Sequence, residues 1–460
     1  MVALSDVARH HSGNSKLIKG KLVNSPAKSL FPAFSATGQD VWRDDFEHEG
    51  PAIIISAVGA RCGKCFKANG KWSAVANTHI VWPIEKIADR DFLWLKLNDE
   101  NFWIKGGSAQ PFVKTRESFQ HEFPLPPLNE QHRIVEKIET LFARLDKGEE
   151  TLREVQKLLA RYRQSVLKAA VTGQLTADWR AENAHRLEHG RDLLARILQT
   201  RRETWDGRGK YKEPVAPDTT GLPELPEGWV WASLDMLGEI TTGSTPPTSK
   251  KELFYGGDIP FLKPTDLDQG YNIQNAREFL SEEGARQSRT VCFGAVLVTS
   301  IGATTGKTGV CRFEKAAFNQ QINAISPASD IVLTDYLYSS IIEGKFQAQI
   351  WQNAAATTLP IINKSKFSRL VMALPPLEEQ ALIVDLIAQH LSQADVLKKW
   401  CQSELTRSTA LRQSILKDAF AGRLVPQDPN DEPASELLAR IRAERGEKAV
   451  KRIIRRTTGA

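Results

Sequence analysis

The sequence predicts an α+β fold in which one unit occurs twice: an α/β domain followed by a long helix, then a second α/β domain followed by a second long helix. The two helices are expected to lie antiparallel as a coiled-coil spacer between the domains, making the tandem repeat pseudo-twofold. Three observations carry this expectation. A segment from the middle of the chain returns near its end, both copies hold heptad seams, and the stretches ahead of them hold short β-branched runs.

The repeat is explicit. Leu125-Pro126-Pro127-Leu128-Asn129-Glu130-Gln131 returns 249 positions later as Leu374-Pro375-Pro376-Leu377-Glu378-Glu379-Gln380. The same offset carries Ile134-Val135 onto Ile383-Val384, Asp146 onto Asp395 and Arg163-Gln164-Ser165-Val166-Leu167-Lys168 onto Arg412-Gln413-Ser414-Ile415-Leu416-Lys417. Gly173 and Leu175 map to Gly422 and Leu424. At slightly different offsets, Leu193–Ile197 returns as Leu437–Ile441, and Gly59-Ala60-x-x-Gly63-Lys64 as Gly302-Ala303-x-x-Gly306-Lys307. Leu4-x-x-Val7 and Ser12-Gly13 parallel Leu234-x-x-Leu237 and Thr242-Gly243. A gapless register of this extent is a duplication.

The elements follow in order. Residues 1–124 form a first α/β domain, with runs such as Ala52-Ile53-Ile54-Ile55 between turn residues. Residues 125–180 form the central long helix region: Pro126-Pro127 forbids helix ahead of it, and Gly173 sits where a C-terminal cap belongs. Its seam steps through Ile134, Ile138, Leu141, Leu145, Leu152, Val155, Leu159, Tyr162 and Val166, interrupted at Gly148. Residues 181–228 are a connector with a polar helix near Arg191–Trp205 and a Gly-, Pro- and Lys-rich linker at Gly207–Pro214. Residues 229–373 form the second domain, with Val291-Cys292-Phe293 and Ala295-Val296-Leu297-Val298 as strand runs. Residues 374–425 are the distal long helix region, keeping Ile383, Ile387, Ala394, Leu397, Leu411 and Ile415 on the stripe while Cys401, Glu404 and Ser408 weaken its middle. Residues 426–460 are a C-terminal helix and basic tail. Two seams in one chain most economically bury each other.

Composition narrows the function. At 460 residues, 41% hydrophobic and 25% charged, with a mean hydropathy of −0.34, the chain reads as soluble, globular and multidomain. The longest apolar run, Ile53–Val58, is far short of the roughly 20 residues a membrane span needs. The opening residues lack the pattern of a secretory signal, and five cysteines are too few for a disulfide framework, so a reducing cytoplasm is expected. The net charge is +6, and the eight basic residues between Ala439 and Ala460 against two acids account for all of it. That tail is suited to phosphates or an acidic partner, or is simply a solvated end. Any DNA contact elsewhere must come from local patches.

Catalytic motifs are not found. Gly302-Ala303-Thr304-Thr305-Gly306-Lys307-Thr308 has three residues between its glycines where a phosphate loop has four, and its twin continues Gly63-Lys64-Cys65. A tight turn presenting Lys64 or Lys307 to a phosphate is the better reading. Cys62 and Cys65 have no second cysteine pair to complete a zinc site, and Thr305 and Thr308 replace them in the repeat, so no metal is expected. Leucines flank both Pro-Pro pairs, where an adenine methyltransferase needs an acidic or amide residue before and an aromatic after. HExxH and GxSxG are absent.

The constellation resembles the specificity subunit of type I restriction-modification systems over essentially the full chain. The two Leu-Pro-Pro-Leu-x-Glu-Gln helix starts carry the likeness, with the helix ends Arg163–Thr176 and Gln413–Leu424, and Leu225-Pro226-Glu227-Gly228-Trp229 followed by Thr242-Gly243-Ser244-Thr245-Pro246. One departure is that the first domain has no Leu-Pro-x-Gly-Trp lead-in, so its first strand is expected to be shorter. The resemblance implies a non-catalytic, DNA-reading subunit without a cofactor of its own. Each α/β part would be a target recognition domain for one half of a split, asymmetric site. The helices would set the gap and dock two modification subunits, which use S-adenosylmethionine to methylate adenine at N6. Two restriction subunits would add ATP- and Mg-dependent translocation and cleavage.

A helix of about 65 Å spans one to two turns of DNA, so four residues inserted near Gly148 should change the gap and not the bases. Base readers are expected where the halves differ and amides, guanidiniums and hydroxyls cluster. In the first domain these are Arg61, Lys67, Lys71, Asn77 and His79, with Trp72 more naturally a core residue. In the second they are Lys263, Thr265, Asn319, Gln320, Gln321, Thr357 and Thr358. Lys64 and Lys307, common to both halves, suit scaffold or phosphate contact instead. A stand-alone bipartite DNA-binding regulator and a DNA-free assembly scaffold remain the rival readings.

Overall fold

A computed structural model describes residues 1–203, 210–328, 332–354, 359–433, 435–439 and 442–443. The chain divides into two compact units, Met1–Leu152 with Gln402–Ala460, and Arg153–Cys401. In the first unit, strands Ala8–Ser12, Thr78–Pro83, Ala52–Ser56 and Cys65–Ala68 lie side by side in that order, all antiparallel. A second sheet runs Gly38–Arg43, Phe31–Ser35, Lys71–Ala74, His48–Glu49, with its middle pair parallel. The second unit repeats both sheets strand for strand. Gly238–Thr242, Ile322–Pro327, Val296–Thr299 and Thr308–Val310 form one. Phe279–Leu280, Tyr255–Leu262, Ala316–Phe318 and Arg289–Val291 form the other, again parallel in the middle. The duplication therefore extends through the parts whose sequences have diverged.

Burial explains the unbroken apolar runs. Ile53 and Ile55 face the core shared with the long helices, whereas Ile54 packs with Phe34, Trp72 and Ile80 between the sheets. Val296 and Val298 take the first role in the second unit and Leu297 the second. A strand covered on both faces has no polar positions to alternate. Each such side chain contributes about 1.5–3 kcal/mol on burial.

The long helices span Leu128–Val171 and Leu377–Phe420, 44 residues each. Gly173 and Gly422 follow them at φ 71° and 72°, a left-handed turn that glycine makes without strain. In the first unit Ile134 and Ile138 share a core with Ile415 and Ala419. In the second, Val166, Leu167 and Ala170 share one with Ile383 and Ile387. The start of one helix thus meets the end of the other, antiparallel as expected. Arg412 reaches Asp146 at 2.6 Å, and Arg163 pairs with Asp395. Under the 249-residue offset these are one ion pair made twice, once in each unit, with the helices exchanged. Both are partly exposed, so they define register more than they stabilise.

Two details differ from expectation. Leu397 and Leu411 are 49% and 46% exposed, while Cys401 and Ser408 are buried. Ala394, Cys401, Ser408 and Ile415, seven apart, draw the contact line; the leucines stand three residues further on, off that line. Small side chains there allow close approach, and Ser408 donates to Glu149 at 2.8 Å. The connector helix, expected to be polar, runs Gly190–Glu203 and buries Leu193, Leu194 and Ile197; Trp205 lies outside the described residues. Its apolar positions fall on one helical face, which a reading of overall polarity conceals.

Candidate nucleic-acid interface

The glycine turns are built identically. Cys62 N–H donates to Gly59 O at 2.9 Å, Gly63 N–H to Ser56 O at 2.9 Å, Lys64 N–H to Arg61 O at 2.9 Å and Gly59 N–H to Pro111 O at 2.8 Å. Thr305, Gly306, Lys307 and Gly302 make the same four bonds, at 2.9–3.0 Å, to Gly302, Thr299, Thr304 and Pro360. These amides are consumed internally, so they cannot wrap a phosphate; the positive φ of Gly59, Gly63, Gly302 and Gly306 serves the turn. Cys62 and Cys65 are buried free thiols, and burial pushes the Cys65 thiol up. Thr305 and Thr308 instead donate to Gly302 O at 2.7 Å and Gly306 O at 2.8 Å. Among the described residues no three His, Cys, Asp or Glu side chains group as metal ligands.

Five of the second domain's candidate base readers, Lys263, Thr265, Asn319, Gln320 and Gln321, converge at the ends of its parallel strand pair. Asn319 N–H donates to Leu262 O at 3.1 Å, which brings Lys263 and Thr265 beside Asn319, Gln320 and Gln321. Asn319 and Gln321 brace each other through their side chains at 3.1 Å, and Gln320 accepts from the Thr245 hydroxyl. Lys263 pairs with Glu278. Lys307 reaches Asp268 at 2.6 Å and Pro264 O at 3.2 Å, so it ties this loop to the glycine turn. Thr265 is exposed. Thr357 and Thr358 lie outside the described residues, as does the tail from 444 onward.

The first domain repeats the frame with other side chains. Val75 N–H donates to Phe34 O at 2.9 Å, placing Ser35 and Asn77 where Lys263 and Gln321 stand. Asn77 holds a left-handed φ of 64° and its carbonyl accepts from Ala57 N–H at 2.9 Å. Arg61 donates to Thr37 O at 3.1 Å, beside a cluster in which Asp40 binds Lys19, Ser35 and Thr37. Burial raises the Asp40 carboxyl, but hydrogen bonds from those three outweigh it and hold the group below its usual range. Sequence reasoning missed Lys19, Ser35, Thr37 and Asp40, because Lys19 is distant in sequence and arrives only on folding.

The remaining candidates are dispersed. Lys67 pairs with Asp91 at 2.9 Å and lies over Trp94; Lys71 lies over Phe46. His79 meets the Thr115 hydroxyl at 2.9 Å, and burial first, then His10, holds it below the usual histidine range. Trp72 is fully buried, with its indole N–H donating to Gly50 O at 2.9 Å. Lys64 has no side-chain partner among the described residues.

The profile of the type I restriction modification DNA specificity domain matches residues 12–156 and 226–407, once over each repeat. The chain belongs to this specificity family. It is 26% identical over 456 residues to the Escherichia coli type I restriction enzyme EcoDI specificity subunit, covering 96% of this chain and 95% of that one. It is 28% identical to the E. coli EcoBI specificity subunit over 353 residues, covering 72% of this chain and 66% of that one. The fold matches the HsdS subunit from Thermoanaerobacter tengcongensis with a TM-score of 0.54 at 20% identity, over 92% of this chain and 96% of that one. It also matches a chain described in the structural basis of complex assembly and conformational transition of the type I R-M system, with a TM-score of 0.60 at 20% identity, over 92% and 97%. No helix among the described residues is long and apolar enough to cross a membrane.

In this specificity chain the Leu-Pro-Pro-Leu-x-Glu-Gln motif anchors each domain to its helix. Gln131 Nε2 donates back to Pro126 O at 3.0 Å while its Oε1 accepts from Asp89 N–H at 2.8 Å. Gln380 does the same with Pro375 O at 3.1 Å and Leu333 N–H at 3.1 Å. Both glutamines are fully buried, so they pair backbone groups that would otherwise stay unsatisfied. The glutamines of the recurring motif thus have an architectural role.

Proposed function

We propose that this chain is the non-catalytic, DNA-reading subunit of a type I restriction-modification complex, acting on duplex DNA in the cytoplasm. Each α/β domain, with boundaries at 1–124 and 229–373, reads one half of a split asymmetric site. The paired helices set the gap between half-sites and dock two modification subunits, whose S-adenosylmethionine supplies the methyl group for adenine N6. Two restriction subunits contribute ATP, Mg and nuclease chemistry. This chain holds no cofactor of its own.

One observation carries the reading: a single hydrogen-bonded frame is occupied by different side chains in its two copies, polar at all four positions in one and at two in the other. Ser35, Val75, Ala76 and Asn77 stand where Lys263, Asn319, Gln320 and Gln321 stand. Equal frames with unequal donors and acceptors suit two unequal half-sites. Lys64 and Lys307 sit on the shared turn and suit phosphates, which carry no sequence information. Arg61, Thr265 and Gln320, exposed at these loop ends, are the preferred base readers. Exposed Val396, Leu397 and Trp400 on the second long helix give a modification subunit an apolar seat. The test is a gel shift with and without co-expressed modification subunit. Tight, site-selective binding only in the complex supports the reading, tight binding alone favours a solitary regulator, and no binding in either favours a scaffold.

A further inference from the structure

The two repeats differ at the glutamate of the motif. Glu379 is fully buried and saturated: Trp229 Nε1 donates to its Oε2 at 2.8 Å, and Thr176 and Arg180 to its Oε1 at 2.6 and 2.7 Å. Trp229 arrives on the run Leu225–Trp229. Pro226 and Trp229 lie directly over Gly173, where a β-carbon would come within 2.6 Å of Pro226 Cγ and 3.3 Å of Trp229 Cζ2. The chain then continues as Val230–Ser233, making four pairs with Val371–Leu374.

Glu130 occupies the equivalent place in the first unit. It is only 3% exposed, yet no hydrogen bond or ion pair reaches its carboxylate among the described residues. Burial, the largest influence, raises its carboxyl above the usual range, with Arg133 opposing. In place of an indole there is an open cleft of about 590 Å³, lined by Met1, Leu125, Pro127, Glu130, Asp431 and Leu438 among others. Leu125, Pro127 and Leu438 correspond to Leu374, Pro376 and Leu194, the residues that enclose Gly228 and Trp229 in the second unit. Gly422, the counterpart of Gly173, has nothing nearer to a β-carbon than Gln427 Nε2 at 3.8 Å. The strand Val2–Ala3 makes two pairs with Glu122–Phe123, where Val230–Ser233 makes four with Val371–Leu374.

We propose that this cleft is a docking site for an extended peptide segment of Leu-Pro-x-Gly-Trp chemistry, whose indole N–H donates to Glu130 as Trp229 donates to Glu379. The walls correspond to those that hold such a segment in the other repeat, and the Glu130 acceptor faces the cleft with no donor among the described residues. A flat aromatic with one N–H fits this combination of apolar wall and single acceptor. The inference concerns the root of the first domain and does not depend on what the domain reads.

The probe is the sequence of Glu224–Val230 joined directly ahead of Met1 in the full chain, which places its tryptophan two residues before Met1. Fusion supplies the segment at high effective concentration. The extension should raise the Tm of the first unit by about 5 °C, shift the added indole's emission to the blue and protect the amides around Glu130 from exchange. Alanine in place of the added tryptophan, or Glu130→Ala in the extended chain, should abolish the gain, while Glu130→Ala alone should leave the parent Tm unchanged. A solvated added indole, or a gain that survives its replacement, would overturn the proposal. So would full protection around Glu130 in the parent that vanishes on removing residues 444–460, because the tail would then be the occupant.

Discussion

Lengthening both long helices by four residues, after Gly148 and after Arg407, should shift the preferred DNA gap by one to two base pairs. The two points face each other, since Glu149 accepts from Ser408 at 2.8 Å and Asp146 meets Arg412 at 2.6 Å. Four helical residues add about 6 Å of rise and about 40° beyond a full turn. One base pair adds about 3.4 Å and roughly 35°. The rotation therefore matches one base pair, and the rise lies between one and two. Contrary to the expectation from sequence that an insertion near Gly148 is enough, insertion there alone would set Arg412 against the wrong residues and bulge one helix, so activity should fall with no new gap preferred. The assay is methyl transfer by the reconstituted complex to duplexes with fixed half-sites and a gap varied one base pair at a time. A doubly extended chain that keeps its Tm and still prefers the original gap would refute the ruler.

Other outcomes follow from single sites. Glu379→Ala strands Arg180 and frees the Trp229 indole in a buried site, so the second unit should lose about 3–5 kcal/mol in urea unfolding; a loss under about 1 kcal/mol would show the cluster to be dispensable. Lys64→Ala should lower the slope of log affinity against log salt by about one without altering sequence preference. Lys307→Ala should lower it less, because Asp268 already neutralises that ammonium at 2.6 Å; equal slopes would contradict the assignment. His79 and His48 are both held below the usual histidine range, first by burial. The unfolded chain thus binds these protons more tightly, so stability is full above the unfolded histidine range and falls as pH drops through it. His79→Gln should flatten the decline in Tm of the first unit between about pH 7 and 5; an unchanged profile would exclude His79 as its source.

Most of the architecture was legible because its signals are local or repeated. Proline pairs, heptad steps and terminal glycines placed both long helices to within a residue or two of Leu128–Val171 and Leu377–Phe420. The seam of the second helix was misread because size misleads where helices approach closely: Leu397 and Leu411 look like the stripe, yet Cys401 and Ser408 form it. Among the candidate readers, Lys263, Thr265, Asn319, Gln320 and Gln321 of the second domain lie together because parallel strand ends adjoin. Lys67 pairs with Asp91, and His79 with Thr115, partners that are remote in sequence and lie on no shared period. Repetition helped with scaffold and concealed function, since residues that differ between copies leave no echo to find.

The division between constant and variable positions has a physical basis. The frame is held by backbone bonds that any residue can supply, such as Val75 N–H to Phe34 O and Asn319 N–H to Leu262 O. The side chains at those positions are therefore free to change from valine to asparagine without disturbing the strand pair. The motif glutamines have no such freedom, because Gln131 and Gln380 each use both ends of one amide, donating to a proline carbonyl and accepting from a distant backbone N–H, and Gln131 also donates to Ile87 O at 2.9 Å. Shortening either to Asn would draw the amide back by about 1.5 Å and break both bonds at once. A pair of domains built this way can diverge at the strand ends while keeping one attachment to the helices, which a reader of two unequal half-sites requires.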